Sequence, residues 1–279
     1  MTHSATSPTN LPVVEMTQPE PADRRQSLGV LLALPLVVFL IVMLLWPLVA
    51  LVRLAGGPVD GKALVALRNS LLLSSAVSIL STIISFIPAW VLARWSFRGK
   101  SVVRTMLTVP LTFSGIVVGF LAILMLGRIG IVPRMTELLF GVPLLSGAAY
   151  GAVGLLLAYL YFEIPRAILS LESSFRQIDV AYEAAAATLG LSAPQRVWRI
   201  ILPLAGRSIV TTLALTFSVS LGSFGVALML SRRLTLLPVE VFTAFTGFLD
   251  DERAALLSLL LVVVAFVTHG VALVVGKQR

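Results

Sequence analysis

Six stretches of this chain carry no Asp, Glu, Lys or Arg, and each is longer than 22 residues: 28–52, 69–93, 105–127, 138–162, 208–231 and 254–276. An α-helix rises about 1.5 Å per residue, so roughly 20 apolar residues cross the hydrocarbon core of a bilayer. Six such runs leave little else to build with. Charged residues make up only 12% of the chain, against about 25% in an ordinary soluble domain. The fold class read from this pattern is all-α, a polytopic membrane protein with six transmembrane helices. The fourth run is broken by Gly141, Pro143 and Gly147, so its helix is expected nearer 148–164, with the start as a lumenal or re-entrant segment. Residues 1–27 hold four prolines and many Ser and Thr. They are expected to be a disordered cytoplasmic tail ahead of a membrane domain at 28–279.

Basic residues orient the helices. With six spans both termini lie on one side. If that side is the cytoplasm, inside segments hold 13 Lys and Arg and outside segments hold 8. Cytoplasmic loops carry the excess, so both termini are read as cytoplasmic, and the loop 166–203 with them. Arg128, Arg134, Arg232, Arg233 and the acidic trio Asp250, Asp251 and Glu252 then face outside.

Several function classes drop out. The net charge of +8 is spread over many loops rather than gathered into one patch, so no nucleic-acid partner is expected. There is no cysteine, which removes disulfides and thiolate metal sites. His3 and His269 are too far apart in sequence for a histidine-based metal or catalytic cluster. The tripeptide Gly99-Lys100-Ser101 imitates the end of a phosphate-binding loop, but Arg94 stands where the first glycine belongs and no strand precedes it. The Arg24-Arg25 pair precedes an apolar run too long for the core of an export signal. Neither ATP hydrolysis by this chain nor a cofactor is expected.

The loop 179–203 reads DVAYEAAAATLGLSAPQRVWRIILP. Asp179 suits a helix N-cap, Ala184–Ala187 is a run of the strongest helix former, and Gly190 suits a left-handed helix end. Ser192 and Pro194 then open a second helical piece whose apolar side is Val197, Trp198, Ile200 and Ile201. The spacing Ala185-Ala186, Gly190, nine residues, Ile200, Leu202-Pro203 resembles the EAA loop of ABC-importer permeases, written E-A-A-x3-G-x9-I-x-L-P. The family's glutamate position is occupied by Ala184. Glu183 stands one place earlier and is expected to act as an exposed rim charge.

Other segments agree with the MetI-like (type I importer) permeases. Asn69-Ser70-Leu71 with Ala93-Arg94 brackets the second run, Pro110 with Ser114, Gly115 and Gly119 marks the third, and Leu221-Gly222-Ser223-Phe224-Gly225 marks the fifth. The resemblance spans a core of about 69–276. It implies a transport subunit rather than an enzyme, in the plasma (inner) membrane of a bacterium. It also implies separate ATPase subunits docking on Glu183, Ala184, Ala185, Ala186, Gly190, Ile200, Leu202 and Pro203, a second permease subunit (paralogue or identical copy), and an extracytoplasmic solute-binding protein. Ser114, Gly115, Glu163, Ser220, Ser223 and Phe224 are candidates for the translocation path. The glycines serve helix packing as well. Glu163, three residues from Arg166 and next to Pro165, is read as a paired acid near a helix end, with an inner gate as the alternative. The fifth-run segment resembles that of permeases for polyamines, iron, thiamine, sulfate and molybdate, and with a serine at 223 the reading leans to a polyamine-, iron- or phosphonate-type solute. Sulfate and molybdate permeases, which often carry an acid where Ser223 stands, are the alternative, and a non-transporting membrane assembly protein is a third.

Overall fold

The computed structural model describes residues 22–277, and among these every regular element is helical. The expected tail therefore lies outside the described residues as far as residue 21, while residues 22–27 belong to the first helix. The chain divides into two units, Met1–Ala50 and Leu51–Arg279. The first holds most of α1 (Ala22–Leu54), which contains Pro35 and Pro47.

The second unit is a helical bundle. Its central pair is α2 (Gly61–Arg94) and α6 (Ala152–Gln177). Asp60 starts α2 by accepting a hydrogen bond from the Ala63 N–H at 2.8 Å, which satisfies one of the donors a helix start leaves free. One face of α2 is a stripe of small hydroxyl residues, Ser70, Ser74, Ser78, Ser81, Thr82 and Ser85, all buried. Small side chains let backbones approach, and their hydroxyls bond back to their own helix or across it. Ser81 donates to the Ser78 carbonyl, and Ser85 donates to the Ile164 carbonyl of α6 at 3.0 Å.

Among the described residues five helices, and six when a pair bent by 70° is taken as one span, are long and apolar enough to cross a membrane. Three expectations need correction. The third run is not one helix. It divides into α3 (Lys100–Thr112) and α4 (Gly115–Leu126), with Phe113 and Ser114 extended between them. The fifth run divides likewise into α10 (Gly206–Gly222) and α11 (Phe224–Leu230) at an extended Ser223. The fourth helix starts at Ala152 and runs through Pro165 to Gln177, far beyond the expected end. Proline removes one backbone bond but does not end a helix whose flanks are packed. Ile164, Ile168, Leu171 and Phe175 remain in the core on both sides of it. What precedes α6 is a short helix, α5 (Ile131–Phe140), followed by turns with positive φ at Gly141, Leu145 and Gly147.

The two breaks meet. A Cβ on Gly225 would lie 2.7 Å from the Ile116 nitrogen and 2.9 Å from the Gly115 carbonyl carbon, and one on Gly115 would lie 3.1 Å from the Val226 nitrogen. Backbones that close admit only glycine on both sides. Gly119 likewise accommodates Met229. Half-helices α4 and α11 therefore start at one crossing and run alongside each other.

Candidate functional site

Two regions collect the residues singled out in the sequence. The first is the loop beyond α6. Asp179 caps α7 (Val180–Thr188) by accepting from the Ala181 N–H at 2.9 Å. The helix closes at Gly190, φ +79°. The Gly190 N–H bonds the Ala187 carbonyl and the Leu191 N–H bonds the Ala186 carbonyl, a closure that requires the left-handed residue between them. Next, the Gln195 side chain accepts from the Ser192 N–H at 2.9 Å, opening α8 (Ala193–Arg196). Residues Val197–Ile201 then form a wide π turn. Pro203 explains it: it has no N–H to offer a carbonyl four residues back, and its ring crowds that carbonyl. A short α9 (Leu202–Leu204) precedes the 70° bend into α10.

Of the expected loop residues, Ala184, Ala185, Gly190 and Pro203 are exposed, Ile200 and Leu202 half-buried, and Ala186 buried. Glu183 departs from the rim-charge expectation. Its carboxylate accepts from the Arg94 Nε at 2.5 Å, with the two side chains only 14% and 9% exposed. Arg94 also donates to the Ile178 carbonyl at 2.9 Å. A sequence separation of 89 residues hides this link between the end of α2 and α7. A second tie joins α3 to α6: Glu172, buried, pairs with Arg104 and, at 3.1 Å, with Arg176. Meanwhile the loop leaves large apolar side chains uncovered: Leu189 is 80% exposed, Trp198 71%, Val180 58% and Tyr182 56%.

The second region lies at the helix breaks. A cavity of about 260 Å³ is lined by Gly115, Phe162, Arg166, Gly222 and Ser223, with Pro110, Leu111, Phe113 and Val219. Arg166 lies about 21 Å along an α6 about 39 Å long, so it belongs to the middle of that helix. The expectation of a pair near a helix end is thereby corrected. Glu163 is fully buried and 3.3 Å from the Arg166 Nε. Neither Glu163 oxygen nor that Nε makes a well-formed hydrogen bond, so the pair is held by charge with donors to spare. Tyr159, one turn above Glu163, donates to the Ser223 carbonyl at 2.8 Å and fixes the break.

Gly115 and Ser223 line the cavity, and Ser114 stands at the N-cap position of the half-helix beside it without a side-chain capping bond. Two other path candidates lie elsewhere. Ser220 is buried with its hydroxyl unpaired, and the Phe224 ring packs on Phe242 with centroids 4.9 Å apart. Gly222 has open space around it rather than a packed neighbour. Sequence reasoning missed Arg166 as a cavity residue and Tyr159 as a clamp. An arginine and a tyrosine hydroxyl so close to an apolar run need partners, and that was the available signal.

No protein-family model matches the chain. The chain is 33% identical over 204 residues to the molybdenum transport system permease protein ModB of Mycobacterium bovis, covering 72% of this chain and 75% of that one. It is 29% identical to a probable sulfate transport system permease protein, cysT, of Prototheca wickerhamii, over 64% of this chain and 68% of the other. Among solved structures it resembles a chain of a bacterial alginate ABC transporter in complex with an alginate pentasaccharide-bound periplasmic protein. The TM-score there is 0.74 at 17% identity, over 89% of this chain and 93% of that chain.

Proposed function

The chain belongs to the permease subunits of ABC importers, and from that premise we propose that its cargo is a tetrahedral oxyanion of the molybdate and sulfate kind. The observation that carries the proposal is the cavity at the helix breaks. Its lining holds one cationic side chain, Arg166, and no acid; the buried Glu163 lies beside it, outside the lining, at 3.3 Å from the Nε. Transporter sites form where broken helices expose backbone donors near mid-membrane, and guanidinium groups match oxyanions with paired donors. The names of the relatives point the same way. The polyamine-, iron- or phosphonate-type preference rested on the absence of an acid at Ser223. Of these, polyamines and iron are cationic and need acids along their path, and the lining of this cavity has none; a phosphonate is itself an oxyanion and is not set aside on this ground.

The working cycle follows from the resemblance. A binding protein delivers the anion to the outer face, two permease subunits form the path, and ATPase subunits dock on the loop 179–203, with both termini on their side. The exposed Val180, Tyr182, Leu189 and Trp198 support docking, because a loop that met only water would not gain from presenting them. The Glu183–Arg94 pair supplies a link by which α7 moves the end of α2.

The test is uptake into liposomes holding the permease with its ATPase and binding protein. ATP-dependent uptake of labelled molybdate or sulfate, and not of putrescine, is the expected result. Uptake of putrescine or ferric iron without either oxyanion overturns the proposal.

A further inference from the structure

A larger cavity, about 810 Å³, opens at the far end of the two half-helices that start at the break, and it is lined by Arg128, Arg232 and Arg233. Arg128 directly follows the turn that ends α4, and Arg232 follows the end of α11. The cavity is therefore separated from the Arg166 cavity by about 18 Å, the length of a 12-residue α4. No acidic residue lines it. Among the described residues none of the three arginines lies within ion-pair distance of a carboxylate. The Arg232 guanidinium sits 5.1 Å over the Tyr150 ring, an arrangement that holds its plane without using its donors. On the orientation read from the basic residues this end faces outside, where the positive-inside bias disfavours arginine. Two helix C-termini would attract two cations, but they do not account for three lining one concavity.

We propose that the Arg128, Arg232 and Arg233 cavity is a capture site that receives the tetrahedral dianion before it reaches Arg166. This rests on the oxyanion reading above. The three guanidiniums concentrate divalent anions at the mouth of the path, and the run along α4 and α11 leads from there to the break. Release inward is favoured because the outer site is open and hydrated, so it holds the anion weakly.

The test uses the whole transporter complex in nanodiscs without its binding protein. Arginines are modified with phenylglyoxal, and the rate at each position is read by mass spectrometry. Molybdate or sulfate at millimolar concentration is expected to slow modification of Arg128, Arg232 and Arg233 roughly three-fold, the factor for a ligand at twice its dissociation constant. The exposed Arg134, which does not line the cavity, serves as the control. Arg232→Gln is expected to raise the molybdate concentration that half-protects Arg128 by roughly five-fold, with Arg232→Lys falling between. Equal slowing by chloride at matched ionic strength overturns the capture site. So does protection that appears only when the binding protein is added, since that makes the patch a protein-docking surface. The liposome uptake assay stands apart. Uptake without protection removes this site alone, whereas protection without oxyanion uptake removes the transport reading and leaves an anion site.

Discussion

Arg166 and Glu163 separate a transport role from a structural one. Replacing one member of a buried ion pair strands the other and costs about 3–5 kcal/mol, whereas neutralising both is often harmless. Arg166→Gln is therefore expected to lower both stability and oxyanion uptake. The double variant with Glu163→Gln should restore the melting temperature but keep uptake at least ten-fold down. If the double variant transports normally, the pair is structural and the cavity arginine does not touch the anion. Glu183 changes its meaning in the same way. As an exposed rim charge it would contribute about 0–1 kcal/mol; against a nine-tenths-buried Arg94 its loss is expected to cost about 3 kcal/mol. A double-mutant cycle of Glu183→Ala with Arg94→Ala, read by denaturation and by substrate-stimulated ATP hydrolysis, should give a coupling energy above about 1 kcal/mol. Additive effects would mean that the contact carries no load.

At the scale of elements, two glycines of one motif are expected to behave oppositely. A methyl on Gly225 collides with the Ile116 backbone nitrogen at 2.7 Å, while a methyl on Gly222 meets nothing within 4 Å. Gly225→Ala should cost about 1–3 kcal/mol through overpacking and lower the thermal midpoint of the purified complex. Gly222→Ala should leave that midpoint unchanged. Equal effects would show that the crossing of α4 and α11 is looser than described. Gly190→Val tests the loop. Its φ of +79° is costly for any residue with a Cβ and most of all for a β-branched one. The expected result is a well-expressed permease in whose reconstituted complex ATP hydrolysis by the ATPase subunits no longer responds to substrate. Normal coupling in that variant would show that the closure of α7 is dispensable. The helices were legible as apolar runs, but their breaks were not. Ser114-Gly115 and Gly222 with Gly225 weaken a helix locally at Phe113 and Ser223, but a glycine inside an apolar run marks close packing as readily as a break, and only the meeting of the Gly115 and Gly225 backbones decides between the two. Pro165 misled for the complementary reason, because its local preference is overridden by packing along α2.

For the whole molecule, the orientation follows from a modest excess of basic residues, and the absence of cysteine makes it directly testable. Single cysteines at Lys62 and Asp250 should react with an impermeant thiol reagent in intact cells, and one at Arg176 only after permeabilisation. Labelling at 176 from outside would reverse the assignment and move the arginine cavity to the cytoplasmic side. The sequence by itself determined what depends on neighbours in the chain: the apolar runs that meet the length of a bilayer, the cap at Asp179 and the left-handed end at Gly190, and the spacing that marks the loop. Only the tertiary structure decided what depends on partners far along the chain. It paired Glu183 with Arg94 and Tyr159 with the Ser223 carbonyl, crossed Gly115 with Gly225, and set Arg166 in a cavity whose lining holds no acid, with Glu163 beside it. Period and length are local properties that a sequence carries openly, whereas the meeting of two charges or two backbones depends on how every helix between them packs.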